Sequence, residues 1–106
     1  MKISCKTITH GRPHLLEEAL FSFLNQDWDG DAELVIVNDC PYQTLHFEHP
    51  KVRIENFKNI FPTIGEKENY TVEICTSDII VTWDDDDIAM PWHFKNIKKY
   101  WQKDTN

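Results

Sequence analysis

ELVIVND, residues 33–39, sets Leu-Val-Ile-Val in an unbroken run and follows it at once with Asn38 and Asp39. A strand with one wet face alternates apolar and polar side chains. A continuous run marks a strand covered on both faces, as in a parallel sheet with helices on either side. The abrupt switch to polar residues marks where such a strand leaves the core.

The flanking chain has the elements that a parallel sheet needs. Upstream, KISCKTI (2–8) is a short β-branched strand. In THGRPHLLEEALFSFLNQ, Pro13 suits a first helical position, and Leu15, Leu16, Ala19, Leu20, Phe23 and Leu24 recur with helical spacing. These predict a helix over about 13–26, closed by a turn at DWDGD (27–31). Downstream, CPYQTLHFEHP is irregular, with room for one short helical turn. VRIENF (52–57) predicts a third strand, KNIFPTIG a loop, and GEKENYTVEICT (65–76) a second helix. DIIVTW (78–83) is another buried strand, and Pro91 can start a last helix whose apolar candidates are Trp92, Ile97 and Trp101.

Strand–helix–strand–strand–helix–strand–helix is an α/β order with a mostly parallel sheet flanked by helices. Ligands of such sheets bind outside the carboxyl ends of the strands. Three of the four predicted strands end there in polar groups: THGR, Asn38-Asp39 and Asp84–Asp87.

Composition narrows the function classes. The chain of 106 residues forms one domain, and 41% hydrophobic residues make it globular. A net charge of −7 argues against nucleic-acid or anionic-membrane binding and suits a protein that gathers a cation. No apolar run approaches the roughly 20 residues of a membrane span, and MKISCKTITH lacks the apolar core of a signal peptide. Cys5, Cys40 and Cys75 read as reduced, buried thiols, which points to the cytoplasm. A zinc site is disfavoured, because no CxxC pair exists and the five histidines lack ligand spacing.

The aspartates of VTWDDDDIAM raise the sharpest question. Two carboxylates 6–7 Å apart repel by about 2–3 kcal/mol at an effective dielectric near 20. Four at the mouth of a strand make a hard-oxygen site for Mg²⁺ or Mn²⁺, with Asp84 and Asp86 sharing one face of an extended chain. The plainer reading is a cap for the helix after Pro91, for which one Asp would suffice. Asp39 is either a turn former before Pro41 or an acceptor for a ring N–H of a bound base. Arg12 is a solvated residue ahead of a helix or a bidentate phosphate ligand. Lys67 is a surface lysine or an anion contact near the start of a helix. A divalent cation, one or two basic residues and an acceptor for a base together suit a nucleoside diphosphate.

TITHGRPHLLEEALFSFLNQ, ELVIVND, GEKEN and DIIVTWDDDD together resemble the nucleotide-sugar-binding half of family 2 glycosyltransferases. Thr9, Arg12, Asp39, Gly65, Lys67, Asn69 and Asp84-x-Asp86 stand in the family's order, over about residues 3–95. The resemblance implies a minimal GT-A (Rossmann-like) fold and a UDP-sugar donor. It implies that Thr9 and Asp39 contact the nucleoside and that Arg12 and Lys67 lie near the base or diphosphate. Asp84 and Asp85 would join the nucleotide-sugar site, with Asp86 and Asp84 as ligands of Mn²⁺ or Mg²⁺ (a DxD motif).

Two departures qualify this picture. Gly11 stands where the family usually has Asn, and Ile8 where it has Pro. Family members also carry roughly as much chain again after DxD, holding the acceptor site and general base. The expectation is therefore a single donor-binding domain over 1–106 without that acceptor half. It would be a metal-dependent glycosyltransferase with an unknown acceptor, completed by self-association (a homo-oligomer) or by a partner. The alternative is a non-catalytic or weakly hydrolytic nucleotide-sugar-binding module. An acidic α/β interaction domain holding a structural cation, and a nucleotidyltransferase, rank lower.

Overall fold

The computed structural model describes residues 2–28, 30–77, 79–83 and 94–95. The chain runs β1 (Lys2–Thr9), α1 (Pro13–Leu24), β2 (Asp31–Asn38), β3 (Val52–Asn56), α2 (Ile64–Ile74) and β4 (Ile79–Thr82). The four strands form one parallel sheet in the order β3-β2-β1-β4. This is the α/β, Rossmann-like arrangement anticipated from the alternating elements. The helix anticipated from Pro91 lies outside the described residues, apart from Phe94 and Lys95. The short helical turn allowed for in 40–50 does not form; that stretch holds turns at 41–42 and from 50 and an antiparallel bridge from His49 to Val52, and is irregular between them.

Local chemistry explains the element ends. Pro13 starts α1 directly after Arg12, where a missing N–H is harmless. The Thr63 side chain caps α2 by accepting from the Glu66 N–H. β2 begins at Asp31 rather than 33, because its pairing with β1 extends to Lys2 opposite Asp31.

The two faces of the sheet differ. Ile3, Cys5, Leu34 and Ile36 pack with Leu16, Ala19, Leu20 and Phe23 of α1 and with Trp83 and Phe94 into the apolar core. Burying each such large side chain contributes roughly 1.5–3 kcal/mol. Alternation puts Val35 and Val37 on the opposite face, beneath α2, which is far more polar. There Lys6 pairs with Glu68, and the Glu33 carboxylate accepts from Ser4 Oγ and from the N–H and hydroxyl of Thr76. Cys5 is buried, whereas Cys40 and Cys75 are only half-buried; all three are free thiols. Burial, reinforced by Cys75 and Glu33, pushes the Cys5 pKa far up, so its thiol is inert.

The topology fixes where a ligand can sit. The chain steps outward from β1 to β2 to β3, then returns to the far side of β1 for β4. The reversal falls between β1 and β4, and ligands of such sheets sit at the carboxyl ends of the strands near it, which includes the end of β1 beside β2. No helix among the described residues is long and apolar enough to cross a membrane.

Candidate functional site

At the carboxyl end of β1 and β2 lies an open pocket of about 540 Å³. It is lined by Thr9, His10, Arg12 and Asp39, by Ile60–Ile64, and by Lys67. Four of the residues singled out from the sequence, Thr9, Arg12, Asp39 and Lys67, therefore meet in one place. The register accounts for part of this: Thr9 pairs with Asn38 across parallel strands, so Asp39 emerges beside the end of β1. Gly11, at φ +68°, then lets the chain turn from β1 into α1 and carries Arg12 to the pocket.

Asp39 is the hub. Its side chain is 4% exposed. Oδ1 accepts from Lys67 Nζ at 2.6 Å and from His10 Nδ1 at 2.9 Å, while Oδ2 accepts from the Phe61 N–H at 3.0 Å. Burial works to raise the Asp39 pKa, but the Lys67, His10 and Phe61 hydrogen bonds outweigh it and hold the carboxyl at about 2. An ionised carboxylate only accepts, so His10 carries its proton on Nδ1 and, in the neutral ring, presents Nε2 as an acceptor. Lys67 Nζ also donates to the Thr9 carbonyl at 2.7 Å.

A further layer holds Asp39 in place. Asn38 is fully buried; its Nδ2 donates to Gln43 O at 2.8 Å and to Asn56 Oδ1 at 3.0 Å, and its Oδ1 accepts from the Cys40 N–H. Asn56 in turn exchanges both hydrogen bonds with the Leu45 backbone at 2.9 Å. On the other side, Phe57, Phe61 and Tyr70 cluster edge-on and tilted, with ring centroids 5.1–5.8 Å apart. That cluster sets the loop carrying the Phe61 N–H. Ile60 and Ile64, 60% and 73% exposed, give the pocket an apolar wall.

Asp84, Asp85, Asp86 and Asp87 lie outside the described residues, but the residue before them does not. Trp83 is buried and held three times: its N–H donates to Lys6 O, its carbonyl accepts from Thr7 Oγ1, and its indole Nε1 donates to Ala19 O at 2.9 Å. Its ring packs 5.5 Å from that of Phe94, whose own N–H donates to Gln26 Oε1. Trp83 and Phe94, the described residues on either side of 84–93, therefore meet in one aromatic cluster. Among the described residues, no group of three or more His, Cys, Asp or Glu could hold a metal.

Sequence reasoning overlooked His10, Asn38, Phe61 and Trp83. The polar Asn-Asp end of β2 signalled a special position, but nothing local shows which partner each group meets. Trp83 did carry a signal: an aromatic residue directly before a charged run is well placed to anchor it.

Residues 4–106 match the model of the family described as glycosyl transferase family 2. The crystal structure of S. aureus TarS 1-349 is similar, with a TM-score of 0.79 at 17% identity over 97% of this chain and 33% of that one. A second S. aureus TarS crystal structure gives 0.78 at 17% identity over 97% of this chain and 20% of that one. At such identity the likeness speaks for the fold. This chain spans a third or less of the length of those proteins. No curated protein matches it significantly.

Proposed function

The chain belongs to glycosyl transferase family 2, and on that premise we propose that it is the donor-binding part of a glycosyltransferase that takes a UDP-sugar. The observation that carries this reading is the state of Asp39. Two partners fill Oδ1, and Oδ2 has one, which leaves a single lone pair with no partner among the described residues. A uracil ring offers one N–H, which matches one acceptor. Guanine offers two adjacent donors that need both carboxylate oxygens, and Oδ1 is already taken. Ile60 and Ile64 supply an apolar wall suited to a base, and Arg12 supplies a cation suited to a phosphate.

A divalent cation fits the donor chemistry of the acidic run, whose hard carboxylate oxygens match Mg²⁺ or Mn²⁺. Asp86 and Asp84 would hold it, and when bound it would stabilise charge on the departing diphosphate. Trp83 contributes by holding the start of that run next to β1. The acceptor would come from outside the residues described.

A thermal-shift and calorimetric panel of UDP, GDP, CDP and ADP, with and without Mn²⁺, tests the reading. UDP should stabilise most, and Asp86→Ala should abolish the Mn²⁺ increment without lowering the metal-free melting point, since it relieves repulsion within the run. Absence of binding by every nucleoside diphosphate at millimolar concentration rules the proposal out.

A further inference from the structure

Lys67 follows a glycine near the start of α2, where a phosphate contact is the natural expectation, yet its ammonium is spent elsewhere. It is held between Asp39 Oδ1 at 2.6 Å and the Thr9 carbonyl at 2.7 Å, with only 7% of its side chain exposed. We propose that Lys67 is a positioning residue of the nucleoside subsite, acting through Asp39 and Thr9, and is not a ligand of the diphosphate. The proposal rests on the donor-site reading above.

The geometry carries it in three ways. First, two of the three N–H donors of the ammonium are committed inside the protein, and its charge is cancelled at contact distance by a carboxylate. A phosphate ligand needs charge and donors directed at the ligand. Second, Lys67 ties together the ends of β1 and β2 and the first turns of α2, the three elements that carry Thr9, Asp39 and Thr63 into the pocket. Moving the ammonium to a phosphate would strand a buried carboxylate and release the Thr9 carbonyl, which is expensive in a dry site. Third, by filling Oδ1 together with His10, Lys67 decides which carboxylate oxygen is left to read a base. Among the described residues, the charged and titratable groups around Asp39 are Lys67 from α2 and His10 after β1, with Arg12 lining the same pocket; the 57–63 loop offers it a backbone N–H.

A nucleoside separates the two roles, because uridine lacks the diphosphate. Dissociation constants of uridine and UDP would be measured by NMR titration for the intact chain and for Lys67→Met. A positioning role weakens both by the same factor, of about tenfold or more. A phosphate role weakens UDP and spares uridine, which overturns the proposal, as does no change in either. The pH profile adds a readout that a purely structural residue would not move. Uridine affinity should stay flat down to about pH 4 in the unaltered chain but begin to fall at a higher pH in Lys67→Met, where burial is no longer offset by the ammonium and Asp39 takes up a proton more readily. Should Lys67→Met fail to fold, the ¹³C titration of the Asp39 carboxyl in the unaltered protein decides. No midpoint above about pH 3 supports the pair, and a midpoint near 4 refutes it. Binding of neither uridine nor UDP by the unaltered chain would remove the nucleotide reading itself, and the carboxyl titration would still judge the pair.

Discussion

Asp39→Asn, followed from pH 5 to pH 2.5, should show how much the buried pair contributes to folding. The Asp39 pKa is lowered from 3.8 to about 2, burial opposing the shift and the Lys67, His10 and Phe61 hydrogen bonds producing it. A carboxyl depressed in the folded state contributes stability that is complete above its unfolded value near 4. That stability drains away as pH falls toward the folded value near 2. At 1.36 kcal/mol per pH unit the amount is about 2 kcal/mol. Asn at 39 leaves the Lys67 ammonium buried without its counter-charge, so the variant should start about 3–5 kcal/mol less stable at pH 5. The gap should then close by about 1.5 kcal/mol by pH 2.5, because the unaltered protein is losing the same interaction. Urea melts at each pH, read by tryptophan fluorescence, give both curves. The difference curve isolates Asp39, since Glu33 and every other carboxylate titrate in both proteins. Parallel curves across pH 5 to 2.5 would refute the buried pair as described.

Two further outcomes follow from single positions. Trp83→Phe keeps the ring in the core but removes the donor to Ala19 O, and should lower stability by about 1–3 kcal/mol in denaturant melts. It should also weaken any Mn²⁺-dependent nucleotide binding, because the acidic run loses part of its anchor. Gly11→Ala places a side chain at φ +68° with nothing within 4 Å of the new Cβ, so the loss, about 1–2 kcal/mol, comes from the backbone alone. A melting point equal to that of the unaltered chain would show that the 9–12 turn relaxes without strain.

Much of the fold was legible because periodicity reports burial directly. Leu-Val-Ile-Val, short and β-branched, reads as a strand covered on both faces, and the 3.6-residue recurrence through Leu16, Ala19, Leu20 and Phe23 as a helix with one apolar side. Even the end positions were nearly right. α1 stops at Leu24 and not near 26: the Gln26 N–H bonds to Phe23 O, three residues back, in place of the helical partner four back. The asymmetry of the two sheet faces was not legible. Ser4, Lys6 and Glu33 alternate with apolar residues in β1 and β2 as a solvated face would, yet Ser4 donates to Glu33 and Lys6 pairs with Glu68 of α2.

The same division runs through the site. Local pattern drew attention to the polar ends of β1 and β2 and to Arg12, Asp39 and Lys67, and the family resemblance added Thr9. The sequence could not tell which of them face a ligand and which face each other. Lys67 and Asp39 are 28 positions apart, and only the packing of α2 over the sheet brings their charges within 2.6 Å. Hydrogen-bond saturation is a property of that packing. A side chain's type sets how many bonds it can make, and the tertiary structure decides how many are already made before a ligand arrives.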